Sequence, residues 1–252
     1  MVIAKERIRA SGIHLGISLG IAALAATLVF ALWYPYPYRE VSGGRELFLL
    51  VTVVDVILGP LITLGIFNSR KSRRELTLDL SFVGLVQLAA LGYGLWTVAA
   101  ARPVHLVFEF DRMRVVHSVD IPEDLLILTP PGIEAEPWTG PTLLAVRPFK
   151  DPNEKLEVTM QALRGVQAAA RPDLWQPYDA ARARIAAAAQ PVDALKRKMP
   201  AQAAQIDAAL QRMGRDAAHT SCLPMISRKI AWTVFFDSQT ADIVGFAPLD
   251  SF

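Results

Sequence analysis

Residues 47–67 read Leu-Phe-Leu-Leu-Val-Thr-Val-Val-Asp-Val-Ile-Leu-Gly-Pro-Leu-Ile-Thr-Leu-Gly-Ile-Phe, and this stretch decides what kind of protein the chain is. As a helix it spans about 30 Å, the thickness of a bilayer's hydrocarbon core. Asp55 stands near its middle and a Gly59-Pro60 step follows. An ionisable group at that depth costs roughly 2.5–3.5 kcal/mol on insertion scales unless it is paired. A proline inside a helix leaves a carbonyl one turn back to find another donor. Asp55, Gly59 and Pro60 are therefore the first candidates for function.

Two further apolar runs flank this one. The first, about 13–33, follows Lys5, Arg7 and Arg9 and ends in Trp33-Tyr34-Pro35-Tyr36-Pro37-Tyr38. It is longer than the apolar core of a signal peptide, and its aromatic end reads as an interfacial belt. The other, about 78–101, carries Gln87, Tyr93 and Trp96. Between the second and third runs lies Asn68-Ser69-Arg70-Lys71-Ser72-Arg73-Arg74, the densest basic patch in the chain. Short basic segments stay on the cytoplasmic side, so the N-terminus and this loop both point inward. The expectation is a multi-pass inner-membrane protein: a three-helix transmembrane domain over 1–101, then a periplasmic α+β domain over 102–252.

Composition agrees with that division. The 252 residues are 52% hydrophobic, with a mean hydropathy of +0.31, too apolar for an ordinary soluble domain. A net charge of +2 gives no basic field for nucleic acid. The single thiol, Cys222, excludes an internal disulfide and a multi-cysteine metal site. His14, His105, His117 and His219 show no metal-ligand spacing, and His14 suits the headgroup region. Nucleotide-binding glycine motifs and a nucleophile elbow are lacking. Glu109, Asp111, Glu123 and Asp124 read as solvated residues beside strands and turns. No catalytic group, metal or cofactor is expected.

In the second half, 104–110 and 113–119 read as strands joined by a turn at Asp111-Arg112. A short strand is expected over 125–128 and another over 142–147. Asp151-Pro152 opens a helix, and Leu156, Met160, Leu163 and Val166 recur on one face as a core stripe. Gly214 suits a helix C-cap. A final hairpin pairs 229–236 with 241–246. Terminal hairpins sharing one antiparallel sheet, with helices between, give the α+β fold.

Two readings of Asp55 stay open. Counted from the outer ends, Asp55 and Tyr93 both lie about 12 Å deep and Gln87 about 20 Å. A Tyr93 hydroxyl donating to Asp55 would tie two helices together. Alternatively Asp55 faces a groove and meets a polar group of a partner helix. Gly59-Pro60 either kinks its helix or opens a notch for another one.

With these residues laid out, the chain resembles the type IV pilin accessory proteins of the TfpX/TfpZ type. The likeness is carried by Asp55 with Gly59-Pro60-Leu61-Ile62-Thr63, by Asp79-Leu80, Gln87 and Ala90-Leu91-Gly92-Tyr93-Gly94, and by Ala101-Arg102-Pro103-Val104. Phe108, Asp111-Arg112, Val115-Val116, Arg171-Pro172-Asp173-Leu174-Trp175, Tyr178 and the Trp232, Asp237, Thr240, Ile243-Val244-Gly245 hairpin continue it. Where that family often shows Asp-Pro-Trp, this chain has Leu249-Asp250-Ser251-Phe252.

The resemblance implies a chaperone-like, non-enzymatic factor that binds and stabilises its type IV pilin before or during pilus assembly. The partners so implied are the lipid bilayer and a major pilin, through the pilin's transmembrane helix and periplasmic head. The residues expected to serve that partner are Asp55, Gly59, Pro60, Gln87, Tyr93 and Arg102, the last with Pro103 as a stiff connection. The rival reading is a membrane-tethered periplasmic ligand-binding or sensor protein.

Overall fold

The computed structural model describes residues 2–67, 71–228 and 230–252; Asn68, Ser69 and Arg70 of the basic loop, and Lys229 of the last expected hairpin, lie outside the described residues. The chain forms two compact units, residues 1–39 with 43–101, and residues 40–42 with 102–252.

The first unit is helical. α1 (Val2–Thr27) runs on through a π-helical segment, Leu28–Trp33, and the single turn α2 (Tyr38–Val41) precedes α3 (Gly44–Ile66) and α4 (Arg73–Ala100). A capping box starts α4: the Glu75 amide donates to the Ser72 hydroxyl while the Ser72 amide donates to the Glu75 carboxylate, so two otherwise orphaned donors are satisfied. Lys71 pairs with Asp79 at 2.5 Å just beyond it.

Two stretches, not three, are long and apolar enough to cross a bilayer among the described residues: Lys5–Trp33 and Arg73–Ala100. This corrects the expected three-span fold class. In α3 the apolar helical segment found among the described residues is Asp55–Ile66, too short to count as a third. Only 11% and 17% of the two longer stretches is buried inside the protein, so they are not core helices. Both are compatible with membrane anchoring. The aromatic end of the first stretch, expected as a belt, turns partly inward, although Tyr36 is 52% exposed. Trp33 and Tyr34 are buried with Val29, Phe48 and Val98, and the Tyr34 hydroxyl donates to the Val98 carbonyl at 3.1 Å. A side chain on Gly44 would lie 2.3 Å from the Tyr34 ring, so only glycine lets α3 begin there.

The second unit is an α+β domain on one eight-stranded sheet. Its strands are β1 (Pro103–Glu109), β2 (Arg112–His117), β3 (Thr142–Val146), β4 (Trp175–Pro177), β5 (Gln190–Pro191), β6 (Thr220–Ile226), β7 (Ala231–Asp237) and β8 (Ile243–Ala247). They lie in the order β4-β3-β1-β2-β6-β7-β8, with β5 on β6. The sheet is mixed rather than antiparallel, because β1 pairs parallel with β3 and β2 with β6. The terminal hairpins do share it, joined through β6, a strand the sequence pattern hides behind its threonine, serine and proline.

Every residue of β1 is buried, as a central strand covered on both faces requires. One core packs Val104, Val107, Leu144, Val146, Val158 and Trp175 together. A second gathers Val192, Leu195, Ile206, Leu210, Cys222 and Phe235, contributed by α7 (Val192–Lys198), α8 (Ala203–Met213) and the β6–β7 pair. Gly214 ends α8 in the left-handed region at φ 65°. Residues 123–128 form a 3-10 turn in place of the expected strand.

Two local features depart from the sequence pattern. Register pairs Glu109 with Arg112, so the β1–β2 turn is Phe110-Asp111, one residue earlier than expected. Phe110 takes φ 62° there, a conformation that favours glycine and costs a phenylalanine roughly 1–3 kcal/mol. The stripe on α5 (Pro152–Leu163) is not core either. Asp151 caps that helix as its sequence suggests, yet Leu156, Met160 and Leu163 are 62%, 47% and 79% exposed while Val158 is the buried residue. Helical periodicity shows that one face is apolar, not that anything covers it. α6 (Arg182–Ala188) completes the helices.

Candidate functional groove

Inside the helical unit, α3 runs antiparallel to its neighbours. Phe30 meets Phe48 with ring centroids 5.0 Å apart, and His14, nearer the other end of α1, bonds Thr63 through Nδ1 at 2.5 Å. Gln87 of α4 reaches α3 near Asp55. A cavity of about 160 Å³ opens between these helices, lined by Ile17, Ser18 and Ile21 of α1, Thr52 and Asp55 of α3, and Gly84, Gln87 and Leu91 of α4, with His14 beside them.

The polar groups are organised by the Gly59-Pro60 step. Despite the proline, α3 is continuous from Gly44 to Ile66. Gln87 Nε2 donates to the Asp55 carbonyl at 3.1 Å, next to the Val56 carbonyl that Pro60 deprives of its usual donor. A Cβ on Gly59 would fall 2.0 Å from that same Nε2. The notch at Gly59 thus exists and is filled from within by the Gln87 amide. On the α1 side the Ser11 hydroxyl donates to the Pro60 carbonyl at 2.8 Å. Side-chain donors from both neighbouring helices therefore serve the backbone around the proline, the usual repair for such a step in an apolar setting.

Tyr93 is not the partner of Asp55, which corrects the expected tyrosine–carboxylate contact. It is 69% exposed and packs on Trp96, with centroids 5.9 Å apart. Equal depth does not mean equal face: Tyr93 and Gln87 are six residues apart, about 240° around α4. Arg102 belongs to the α+β unit, where its guanidinium bonds the Pro137 carbonyl at 3.4 Å and lies over the Trp138 ring. Of the six expected residues, Asp55, Gly59, Pro60 and Gln87 come together and Tyr93 and Arg102 do not. Ser11, His14, Thr52 and Thr63 were missed. Their signal was there: Ser11/His14 and Thr52/Asp55 are spaced three apart on otherwise apolar helices.

What remains in the cavity is acceptor-rich. Gln87 Oε1 and Thr52 Oγ1 are buried without a hydrogen-bond partner, and the Asp55 carboxylate has none among the described residues. Such atoms suit a donor brought from outside. A space of this size takes one benzene-sized group, not a whole helix.

The internal part of the arrangement is testable. Gln87→Ala and Gly59→Ala should each cost about 1 kcal/mol, since both abolish the same hydrogen bond. The double variant should lose clearly less than the sum in thermal unfolding of the detergent-solubilised chain. Strict additivity would mean that Gln87 does not lie over Gly59.

Comparisons with known proteins bear on much of the chain. The family model "Fimbrial assembly protein FimB" matches residues 3–43. The fimbrial assembly protein of serogroup I of Dichelobacter nodosus is 41% identical over 180 residues, 71% of this chain and 70% of that protein. The serogroup E1 protein is 38% identical over the same shares. The protein of serogroups C1 and C2 is 43% identical over 44% of this chain and 85% of its own length. No solved structure matches.

Proposed function

The chain belongs to the fimbrial assembly protein family, which gives it a role in pilus assembly, and on that footing we propose that it binds and stabilises a type IV fimbrial subunit before assembly, without catalysing a reaction. The observation that carries this reading is the groove's pair of buried polar groups without a partner, Gln87 Oε1 and the Thr52 hydroxyl, beside the Asp55 carboxylate and within apolar walls. A subunit helix laid against the unit would insert one donor, an N-terminal amine or a hydroxyl, into that space. In a low-dielectric setting a charged donor meeting Asp55 makes a stronger bond than it would in water.

The α+β domain then lies on the periplasmic side, available to the subunit's globular head. The basic flank of α4, Lys71 with Arg73 and Arg74, favours the cytoplasmic face and leaves the Ala100 end on the other.

Asp55→Asn should reduce recovery of cross-linked fimbrial subunit with this protein about tenfold, the worth of one charge-assisted contact. Tyr93→Phe should leave recovery unchanged. Equal recovery with Asp55→Asn, at equal protein levels, would remove the groove from the function.

A further inference from the structure

The α+β domain carries a second concavity, of about 590 Å³, whose lining includes Arg112, Arg114, Arg147, Lys155 and Arg184 against a single carboxylate, Glu109. Three of these cations are already paired. Arg112 meets Asp111 at 2.8 Å, Arg114 meets Glu109 at 2.7 Å, and Arg147 is held by both oxygens of Glu154 at 2.7 and 3.0 Å. Lys155 and Arg184 pair with no carboxylate among the described residues. Arg184 is half-buried, donates to the Val146 carbonyl at 2.7 Å and lies over the Phe108 ring. Desolvation pulls its pKa down, the mark of a guanidinium short of a counter-charge.

The rim is aromatic. Phe110 and Phe149 stack with centroids 5.5 Å apart, and Phe110 is half-exposed on the left-handed turn where glycine would fit at no cost. A strained, exposed aromatic ring beside a charged pocket fits a binding element better than a packing one. The pocket wall also continues into the uncovered face of α5. At 100° per residue, Lys155, Thr159 and Ala162, which line the pocket, sit directly beside Leu156, Met160 and Leu163, which are exposed.

We propose that this pocket and the adjoining α5 face bind an acidic segment of a partner protein, its carboxylate seated between Lys155 and Arg184 and its apolar neighbours on Phe110, Leu156, Met160 and Leu163. Charge complementarity selects the acidic group, and the exposed stripe selects the apolar residues beside it. A concave seat for the anion favours a peptide over a flat lipid surface, as do Glu154 and Glu157 on the same helix. The proposal deepens the function above and rests on it only for the partner's being a protein.

A phage-displayed random peptide library panned on the full chain in nanodiscs tests it. Enriched peptides should carry Asp or Glu beside apolar residues, weaken with added salt, and bind Lys155→Glu and Arg184→Gln at least about tenfold less tightly. Leu163→Asp should weaken them too. Phe110→Gly should weaken them while leaving thermal stability equal or higher. Asp55→Asn should have no effect, so this site and the groove fail separately. Neutral or basic enriched peptides, no enrichment, or unchanged binding by Lys155→Glu would overturn the proposal. So would a fluorophore on Leu163→Cys that reports a lipid environment in anionic nanodiscs before any peptide is added.

Discussion

Glu109→Ala should destabilise the protein by about 2–4 kcal/mol, the cost of leaving a buried amide and a partly buried guanidinium without their acceptor. Glu109 is 4% exposed in the central strand β1. Its carboxylate accepts from Arg114 Nε at 2.7 Å and from the Ala169 amide at 3.0 Å. Truncation strands both donors, one charged and one in the backbone, and leaves a void against the first core. Glu109→Gln keeps an acceptor for Ala169 but turns an amide toward a guanidinium, so it should recover only part of the loss. Denaturant unfolding of the full chain in detergent gives the difference. A loss below about 1 kcal/mol for Glu109→Ala would mean that water replaces the carboxylate, and that the pair lies outside the regime of buried ion pairs.

Acid should unfold the α+β domain through His105. The imidazole is fully buried, bonded by Nδ1 to the Thr142 hydroxyl at 2.7 Å and by Nε2 to the Ala135 carbonyl at 2.9 Å, with its ring against Trp175. Burial lowers its pKa from 6.5 to about 4, against the opposing pull of the Ala135 carbonyl and Glu136. The unfolded chain therefore binds a proton below pH 6.5 that the folded chain refuses until about pH 4. Stability is full above that window and falls as the pH drops through it, by about 1.4 kcal/mol per unit and about 3 kcal/mol in all. His105→Gln should flatten the slope between pH 6.5 and 4, whatever it does to absolute stability. An unchanged slope would mean that the ring is protonated in place. Asp120 adds a separate loss at lower pH. Burial raises its pKa, but bonds from His117 and Arg228 outweigh that and hold it at about 2, so its contribution disappears between 3.8 and 2.

Neither residue announces its role in the sequence. Glu109 sits among Asp111, Glu123 and Asp124 and reads like them as a solvated charge. Its burial follows from β1 lying between β2 and β3, a pairing decided by residues far along the chain. His105 alternates with apolar neighbours as any strand residue does, and its acceptor comes from a loop thirty residues on. The Leu156, Met160 and Leu163 stripe fails in the opposite sense, since its periodicity was plain and its covering was absent.

By itself the sequence determined the apolar first hundred residues, the helices that end at polar or proline-rich punctuation, the two hairpins and the family. These depend on composition, on local periodicity and on matches in order along the chain, and all of that is one-dimensional information. It also singled out 47–67, with Asp55 and the Gly-Pro step, as the place to look. Only the tertiary structure decided that Tyr93 turns away from Asp55 and that Gln87 meets the Asp55 backbone carbonyl, leaving the carboxylate to the cavity. The same holds for the mixed sheet and for which apolar faces stay uncovered. Depth along a helix follows from counting residues. The face a residue shows, and what meets it there, depends on how helices and strands from distant parts of the chain rotate against one another, and no local pattern encodes that rotation.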